Sequence, residues 1–334
     1  MAASTVNGSG NGARSGAQTL VLLSAPLNAP ILRALQAGPR KQVELRREAG
    51  APAQTTLRAQ LKKLVGIEAI AKQRRDRFPG VLEYELTDSG RDLLFVADTL
   101  ERWLGRAPEG PLTLGGNPAK AAIKALAEGW STTMLRALSA QPLSLTELDR
   151  LIGALSYPSL ERRLAAMRLA GQVRASQGSG RGTPYTVTAW LRQSVAPLAA
   201  AIRWERRHMP QTTVPIGQLD AETAFLLTVP LLRPPTELSG SCRLAAEIAN
   251  GAGRRLGGVM VEVDDGRIAS CVTQFSGSPD AWALGSANAW LNAVIEHDID
   301  RLELGGDCRL ATALLSDLHR ALFGAGRDQS AIRP

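Results

Sequence analysis

The sequence has few of the residues on which metal sites, disulfide frameworks and aromatic binding surfaces depend: 3 Cys, 3 His and 4% aromatic residues in 334. Cys242, Cys271 and Cys308 lie far apart and form no CxxC pair. This spacing excludes a disulfide framework and a structural zinc site, and it fits a reducing compartment. No apolar run approaches the roughly 20 residues that span a bilayer. Prolines interrupt the early apolar run 20–35, so we expect neither a membrane segment nor a cleavable signal.

Catalytic motifs are also missing. The chain contains no GxSxG, no GxxxxGK[ST], no HExxH and no GxGxxG placed after a predicted strand. His208, His297 and His319 are far apart in sequence, and Asp264-Asp265 is better explained as a hairpin turn than as a carboxylate pair. We therefore expect no enzymatic activity, no cofactor and no metal.

Charge is distributed unevenly along the chain. Residues 1–210 contain 29 basic and 16 acidic residues, a net charge of +13, and hold all six Lys. Residues 211–334 contain 10 Arg, no Lys and 15 acidic residues, a net charge of −5. Such asymmetry favours a polyanion-binding N-terminal part joined to a module with a different role, although basic residues that only solvate helix faces would give a similar balance.

Composition divides the chain into four segments. Residues 1–17 are small and polar and predict a disordered tail, and Pro- and Gly-rich stretches suggest boundaries near 112 and 212. The predicted domains are therefore 18–112, 113–212 and 213–334. Residues 32–70 match the following segment at a displacement of 103, and residues 84–103 match it at a displacement of 101. We interpret this constant register of apolar and aromatic residues as a duplicated domain.

Each copy has the same predicted order of elements. In the first copy, helices are expected at 27–37 and 42–48, followed by a longer helix that has Pro52 in its first turn and carries the stripe Leu57, Leu61 and Leu64. Strands at 67–72 and 82–87 enclose a basic turn, and a helix over 88–105 ends the copy. The second copy predicts helices at 145–151 and 158–169 and a turn at 176–182. Helix, helix, helix, hairpin, helix is the order of a winged helix-turn-helix.

The end of the first hairpin carries a recognisable motif. Tyr84, Leu86, Thr87, Gly90 and Trp103 lie as in HxlR-type (MarR-related) bacterial transcriptional regulators, which the chain resembles over about residues 20–208. The second copy keeps the counterparts of three of these residues, Tyr185, Thr188 and Trp204. The resemblance implies binding to double-stranded DNA. Regulators of this type carry one such domain and dimerise, so two domains in one chain are compatible with a monomer or a homodimer.

Basic residues concentrate where this fold places phosphate and groove contacts. The candidate DNA-binding residues are Arg46, Arg47, Thr55, Arg58, Lys62, Lys63, Lys72, Arg74, Arg75 and Arg77 in the first copy and Ser159, Arg162, Arg163 and Arg181 in the second. A solvated helix face is the alternative for Arg58 and Lys62, and a protein-docking surface is the alternative for the duplicated fold. Glu161 stands at the position of Arg58, so the two copies would read unlike half-sites or one would bind weakly.

The C-terminal segment has an α/β pattern. Strands at 243–249, 258–263 and 267–272 surround an Asp-Gly turn, residues 225–232 predict a strand or short helix, and helices are expected from 279–280 and over 310–323. The segment is similar to the sterol carrier protein-like fold through residues Asp280, Trp282, Gly285, Trp290, Gly306, Asp307 and Leu310. That fold holds apolar molecules, which implies the candidate ligand-binding residues Phe275, Trp282, Leu284, Trp290 and Leu291. Ordinary core packing is the alternative for each of them.

The predicted fold class is therefore mixed: two tandem winged helix-turn-helix domains, α+β and mainly helical, followed by an α/β sterol carrier protein-like domain. The predicted function is a cytoplasmic, nucleoid-associated regulator that binds duplex DNA and responds to a hydrophobic small molecule. Two alternatives are an architectural DNA-binding protein whose last domain oligomerises and a lipid carrier that uses winged helices as a scaffold. Salt-dependent duplex binding separates the carrier from the other two.

Overall fold

The computed structural model describes residues 15–75, 81–129, 132–153, 155–176, 182–211, 214–250 and 253–324. The first unit contains the helices α1 (Ala17–Leu23), α2 (Asn28–Gln36), α3 (Gln42–Glu48), α4 (Gln54–Gly66) and α5 (Asp88–Leu104). Its strands are β1 (Arg40–Lys41), β2 (Ile70–Arg75) and β3 (Val81–Leu86), which form an antiparallel sheet in the order β1-β3-β2. The order of elements over 28–104 is the one the sequence predicts for a winged helix.

The α4 stripe is buried as its spacing predicts, because Leu57, Leu61 and Leu64 are at most 2% exposed. Two local predictions were wrong. Pro52 precedes the helix instead of lying in its first turn, since the N-cap is Ala53. Strand β2 begins at Ile70 instead of residue 67, because the chain turns at Glu68 with a left-handed φ of 56°.

The Thr87-x-x-Gly90 motif has a packing explanation. The Thr87 hydroxyl accepts a hydrogen bond from the Gly90 N–H (3.0 Å) and donates to the carbonyl of Glu68 (2.6 Å), so it caps α5 and ties it to the corner before β2. A Cβ at Gly90 would lie 2.1 Å from the Ala69 carbonyl oxygen. Only glycine permits this close approach of α5 to the sheet.

The second unit has a similar order of helices and strands. It contains α6 (Asn117–Gly129), α7 (Thr132–Ala140), α8 (Leu145–Leu151), α9 (Tyr157–Leu169), α10 (Ala189–Gln193) and α11 (Val195–His208), with β4 (Leu143–Ser144), β5 (Val173–Ala175) and β6 (Pro184–Val187). Its sheet order, β4-β6-β5, corresponds to that of the first unit. Leu143 pairs with Tyr185 where Arg40 pairs with Tyr84, at the sequence displacements of 103 and 101.

The terminal helix is the main difference between the units. Helix α5 is continuous, whereas its counterpart divides at Ser194 into α10 and α11. The Ser194 hydroxyl donates to the Leu191 carbonyl (2.6 Å). Pro197 lacks the N–H that would bond to the carbonyl of Gln193, so the break falls where the helical hydrogen bonds are interrupted.

Corresponding helices of the two units face each other. Helix α1 packs on α6, and α5 packs on α11. The Trp103 indole N–H donates to the Trp190 carbonyl, and the Trp204 indole N–H donates to the Ser89 carbonyl, both at 2.8 Å. Adding 101 to a residue number in the first unit gives the corresponding position in the second unit, so Trp103 corresponds to Trp204 and Ser89 to Trp190. The second bond is therefore the first one with the roles of the two units exchanged. The two units thus make reciprocal contacts with each other.

The third unit is a five-stranded sheet with helices against one face. It contains α12 (Gln218–Thr228), a 3₁₀ turn (Val229–Leu231), β7 (Gly240–Asn250), β8 (Gly253–Asp264), β9 (Arg267–Val272), β10 (Ala281–Ser286), α13 (Ala287–Glu296), β11 (Glu303–Gly306) and α14 (Cys308–Phe323). The strand order is β11-β10-β7-β8-β9, with only the β10–β7 pair parallel among the described strands.

The helix expected from 279–280 was wrong, because residues 281–286 form β10 and the helix begins at Ala287. Ala281 and Ala283 are fully buried, while Trp282 and Leu284 lie on the other face of the sheet and are half-buried. This period of two is that of a strand. Residues 225–232 lie in α12 and the 3₁₀ turn that follows it, so the helical alternative was the correct one.

Residues 15–17, which the sequence assigns to a disordered tail, make defined contacts. Gly16 N–H donates to the Glu205 carboxylate (2.6 Å), the Ser15 hydroxyl donates to the Val214 carbonyl, and α1 begins at Ala17. Residues 1–14 lie outside the described part of the chain. No helix among the described residues is long and apolar enough to cross a membrane.

Candidate nucleic-acid interface and apolar cavity

Helix α4 presents a polar face opposite its buried leucines. Thr55, Arg58, Lys62 and Lys63 on α4 are exposed, as are Arg46 and Arg47 at the end of α3. Helix periodicity produces this division, since residues 55, 58 and 62 recur on the side away from the leucine stripe. The structure therefore brings these candidate residues together on the helix-turn-helix surface.

Most of these cations have no acidic partner. Within the described ranges, Arg47, Arg58, Lys62, Lys63, Lys72 and Arg74 form no ion pair with a carboxylate. Arg46 differs, because its Nε donates to the Pro52 carbonyl (2.9 Å) and braces the turn between α3 and α4. Exposed cations without carboxylate partners are available to phosphates.

The hairpin continues the basic surface. Lys72 and Arg74 are exposed on β2, and Arg75 ends that strand. Burial raises the pKa of Tyr84 on β3, and the charge of Arg58 opposes this shift, which places the Arg58 guanidinium close to the hairpin. Arg77 lies outside the described residues.

The second unit presents a different surface at the corresponding positions. Arg162 is exposed on α9, Ser159 and Arg163 are half-buried, and Arg181 lies outside the described residues. The α9 counterparts of Thr55, Arg58 and Lys62 are Pro158, Glu161 and Ala165. The outward face of α9 therefore carries a carboxylate where α4 carries a guanidinium.

One family model matches the region of the chain that contains this interface. Residues 23–109 match the HxlR-like helix-turn-helix family. Regulators of the HxlR family bind DNA and are often dimers, which suggests a DNA-binding transcriptional regulator. The exposed cations of α4 and β2 lie within these matched residues.

One solved structure is similar to about a quarter of the chain. Diamide-treated YodB from B. subtilis is 26% identical, and the aligned part covers 27% of this chain and 88% of YodB, with a TM-score of 0.26. No curated protein matches this chain significantly.

The second unit also docks against the third. Arg136 of α7 lies 2.8 Å from the Glu222 carboxylate, which is buried on α12, and its Nη2 donates to the Thr273 hydroxyl (2.7 Å). Arg192 of α10 donates to the Leu226 carbonyl (2.8 Å), and burial lowers the pKa of its guanidinium. The second unit therefore contacts the first unit through α6, α10 and α11, and the third unit through α7, α10 and α11.

An apolar cavity of about 180 Å³ lies where the second and third units meet. Of the candidate ligand-binding residues, Trp290 and Leu291 line it. Phe275, Trp282 and Leu284 do not line it, because Trp282 and Leu284 lie on the sheet face away from the helices. These residues have other contacts: the Trp282 ring packs over Gly305, and the Phe275 ring centroid lies 5.1 Å from the Arg243 guanidinium. Sequence reasoning missed the cavity's walls from α1 and α11, since distant segments form them.

Two histidines that are distant in sequence meet in the third unit. The rings of His297 and His319 stack with centroids 5.2 Å apart. His297 Nε2 lies 3.0 Å from the Ser316 hydroxyl, and His319 Nδ1 lies 3.0 Å from the Val294 carbonyl oxygen. These contacts tie α13 to α14. No group of three or more His, Cys, Asp or Glu suited to a metal ion occurs within the described part of the chain.

Proposed function

We propose that this chain is a transcriptional regulator that binds duplex DNA through two winged helix-turn-helix units within one polypeptide and carries out no catalysis. The observation that carries the proposal is the set of exposed cations on α4 and β2 that lack acidic partners, on a fold of the HxlR-like family. An α-helix with such a face fits the major groove, and the hairpin arginines lie where flanking phosphates would be.

The repeated element order and strand register support a tandem architecture with boundaries near residues 112 and 212. In the proposal, the two units take the places of two protomers, and the α5–α11 contact serves as the dimer interface. A covalent link raises the effective concentration of the second unit, so one chain suffices for a two-part DNA site.

The two units would contribute unequally to DNA affinity. The first unit has Arg58 and Lys62 on the outward face of its third helix, whereas the second has Glu161 and Ala165. A glutamate in the groove can accept a hydrogen bond from cytosine, but it repels phosphate. The first unit is therefore the principal DNA-binding unit in this proposal, and the second recognises a different half-site more weakly.

The third unit is proposed to be a sterol carrier protein-like sensor docked on the second unit. The apolar cavity of about 180 Å³ beside the third unit is where a small hydrophobic ligand would bind in this proposal. A sensor must bind its ligand with different affinity in two arrangements of the protein. The interfaces through Arg136 and Arg192 are where those arrangements would differ.

Salt-dependent binding to mixed duplex DNA tests the proposal, with the wild type compared with Arg58→Ala/Lys62→Ala. Each lost phosphate contact should reduce the slope of log affinity against log salt by about 1. The matched control is Arg102→Ala/Arg106→Ala, which removes the same charge from α5 and the turn after it. Equal loss in both double variants, or no duplex binding at about 50 mM salt, where phosphate contacts should hold, would overturn the proposal.

A further inference from the structure

The cavity at the junction has walls from three parts of the chain. Leu20 of α1, Leu198 and Ile202 of α11, Phe225 of α12 and Trp290 of α13 all face it. Helix α11 therefore contacts the cavity on one side and α5 on the other. A molecule in this space would touch the helix that joins the two DNA-binding units.

The polar side chains of the cavity wall already have partners. The two carboxylate oxygens of Asp220 accept hydrogen bonds from the Gly217 N–H and the Thr132 hydroxyl, both at 2.9 Å. The Thr228 hydroxyl donates to the Ala224 carbonyl (2.8 Å). A charged ligand would lose its hydration without gaining a new partner, which costs free energy. The lining therefore selects an uncharged, apolar molecule.

The N-terminal segment covers one side of the cavity. Glu205 is buried on α11, and it accepts hydrogen bonds from the Gly16 N–H (2.6 Å) and the Thr19 hydroxyl (2.8 Å). Gly16 has φ = 80°, and a Cβ there would lie 2.9 Å from side-chain atoms of both Leu198 and Ile202. Residues 15–20 thus lie tightly against α11, which limits the space available to a ligand.

From this geometry we infer that the junction cavity is the binding site of a small uncharged hydrocarbon-like molecule of about the size of a substituted benzene. Dry apolar cavities of about 150 Å³ bind benzene, so about 180 Å³ suits toluene. The site differs from the one expected within the third unit, because a quarter of its lining residues belong to α1 and α11. The ligand's role as an effector of DNA binding rests on the proposed function, while the binding itself does not.

Direct binding of toluene to the full chain tests the site. Benzoate is the charged probe of similar shape, and both are measured by equilibrium dialysis. Ala199→Leu on α11 and Ala224→Leu on α12 place a larger side chain in the cavity from opposite walls. Ala121→Leu makes the same change at an exposed position of α6 and is the control. Thermal melts of each variant identify any that fails to fold. If one of the two cavity-filling variants does not fold, the other one provides the test.

We expect toluene to bind the wild type and Ala121→Leu with equal affinity. It should bind Ala199→Leu and Ala224→Leu at least tenfold more weakly. Benzoate should bind the wild type at least tenfold more weakly than toluene does. Absence of toluene binding, equal binding of benzoate, or unchanged binding in a folded Ala199→Leu or Ala224→Leu variant would overturn the site. Saturating toluene should change DNA affinity about fivefold or more. If toluene binds but leaves the DNA affinity unchanged, the ligand is not an effector of DNA binding. DNA binding measured in the absence of toluene tests the proposed function separately.

Discussion

The indoles of Trp103 and Trp190 stack with ring centroids 4.4 Å apart, and each N–H donates to the other residue's backbone carbonyl at 2.8 Å. Trp204 makes the corresponding bond to the Ser89 carbonyl. Three buried indoles therefore fasten α5 to the α10–α11 pair. The interface between the first two units is thus specified by directional hydrogen bonds in addition to apolar packing.

Replacing Trp204 by Phe should destabilise the chain by about 1–3 kcal/mol, because the Ser89 carbonyl would be left without its indole donor in a buried interface. The phenyl ring lacks the pyrrole part of the indole, so some buried packing is lost together with the hydrogen bond. Urea unfolding followed by circular dichroism measures the effect. Trp282→Phe is the control, since the half-buried Trp282 indole donates to no described residue. Equal stability of the Trp204 variant and the wild type would show that the bond contributes nothing net.

The charge difference between α4 and α9 leads to a gain-of-function prediction. Glu161→Arg places a guanidinium at the α9 counterpart of Arg58. If α9 faces the duplex, this change should tighten binding and steepen the log–log salt slope by about 1. Fluorescence anisotropy with labelled duplex DNA at several salt concentrations measures both. Glu237→Arg in the third unit makes the same charge change and should have little effect; equal gains in both variants would indicate nonspecific charge attraction.

Periodicity predicted the elements that bury an apolar stripe. Leu57, Leu61 and Leu64 recur at helical spacing, and the structure buries all three on α4. The basic residues of α4 and β2 were predictable for the same reason, because a helix with one buried face exposes the other. In 281–286, alanines fill the buried positions and the larger Trp282 and Leu284 point away, so residue size misled the assignment of that strand.

The junction cavity could not be predicted from sequence. Its wall combines Leu20, Leu198, Phe225 and Trp290, which are separated by long stretches of chain and are brought together only by docking of whole units. The position of α1 has the same origin, since Glu205 accepts hydrogen bonds from residues nearly two hundred positions earlier. Local patterns carry no signal for such contacts.

Gly16→Ala should release the N-terminal segment. The substitution forces a side chain into a left-handed conformation and brings its Cβ within 2.9 Å of α11 side chains, with an expected cost of about 1–2 kcal/mol for the backbone alone. Hydrogen exchange of residues 17–23 should accelerate about tenfold for each 1.4 kcal/mol. Gly66→Ala is the control, because a Cβ there meets open space. Unchanged exchange in Gly16→Ala would mean that the segment does not depend on this contact.

The three thiols should differ sharply in reactivity. Burial raises the pKa of both Cys242 and Cys271 to about 12, whereas Cys308 is exposed at the start of α14. At pH 8 only about one in ten thousand of the two raised thiols is ionised, and the thiolate is the reactive form. Iodoacetamide should therefore label Cys308 in the native protein and all three thiols in urea, as read by mass spectrometry.

Cys308→Ser is the variant that sharpens this test, since its native form should resist labelling at pH 8. Rapid alkylation of Cys271 in that variant would mean that the edge strand β9 opens more readily than its packing indicates. Residues 1–210 contain no cysteine, so alkylation of Cys308 should leave DNA affinity unchanged. A loss of DNA binding on alkylation would instead indicate that the surface around the start of α14 lies close to the DNA or influences the first two units.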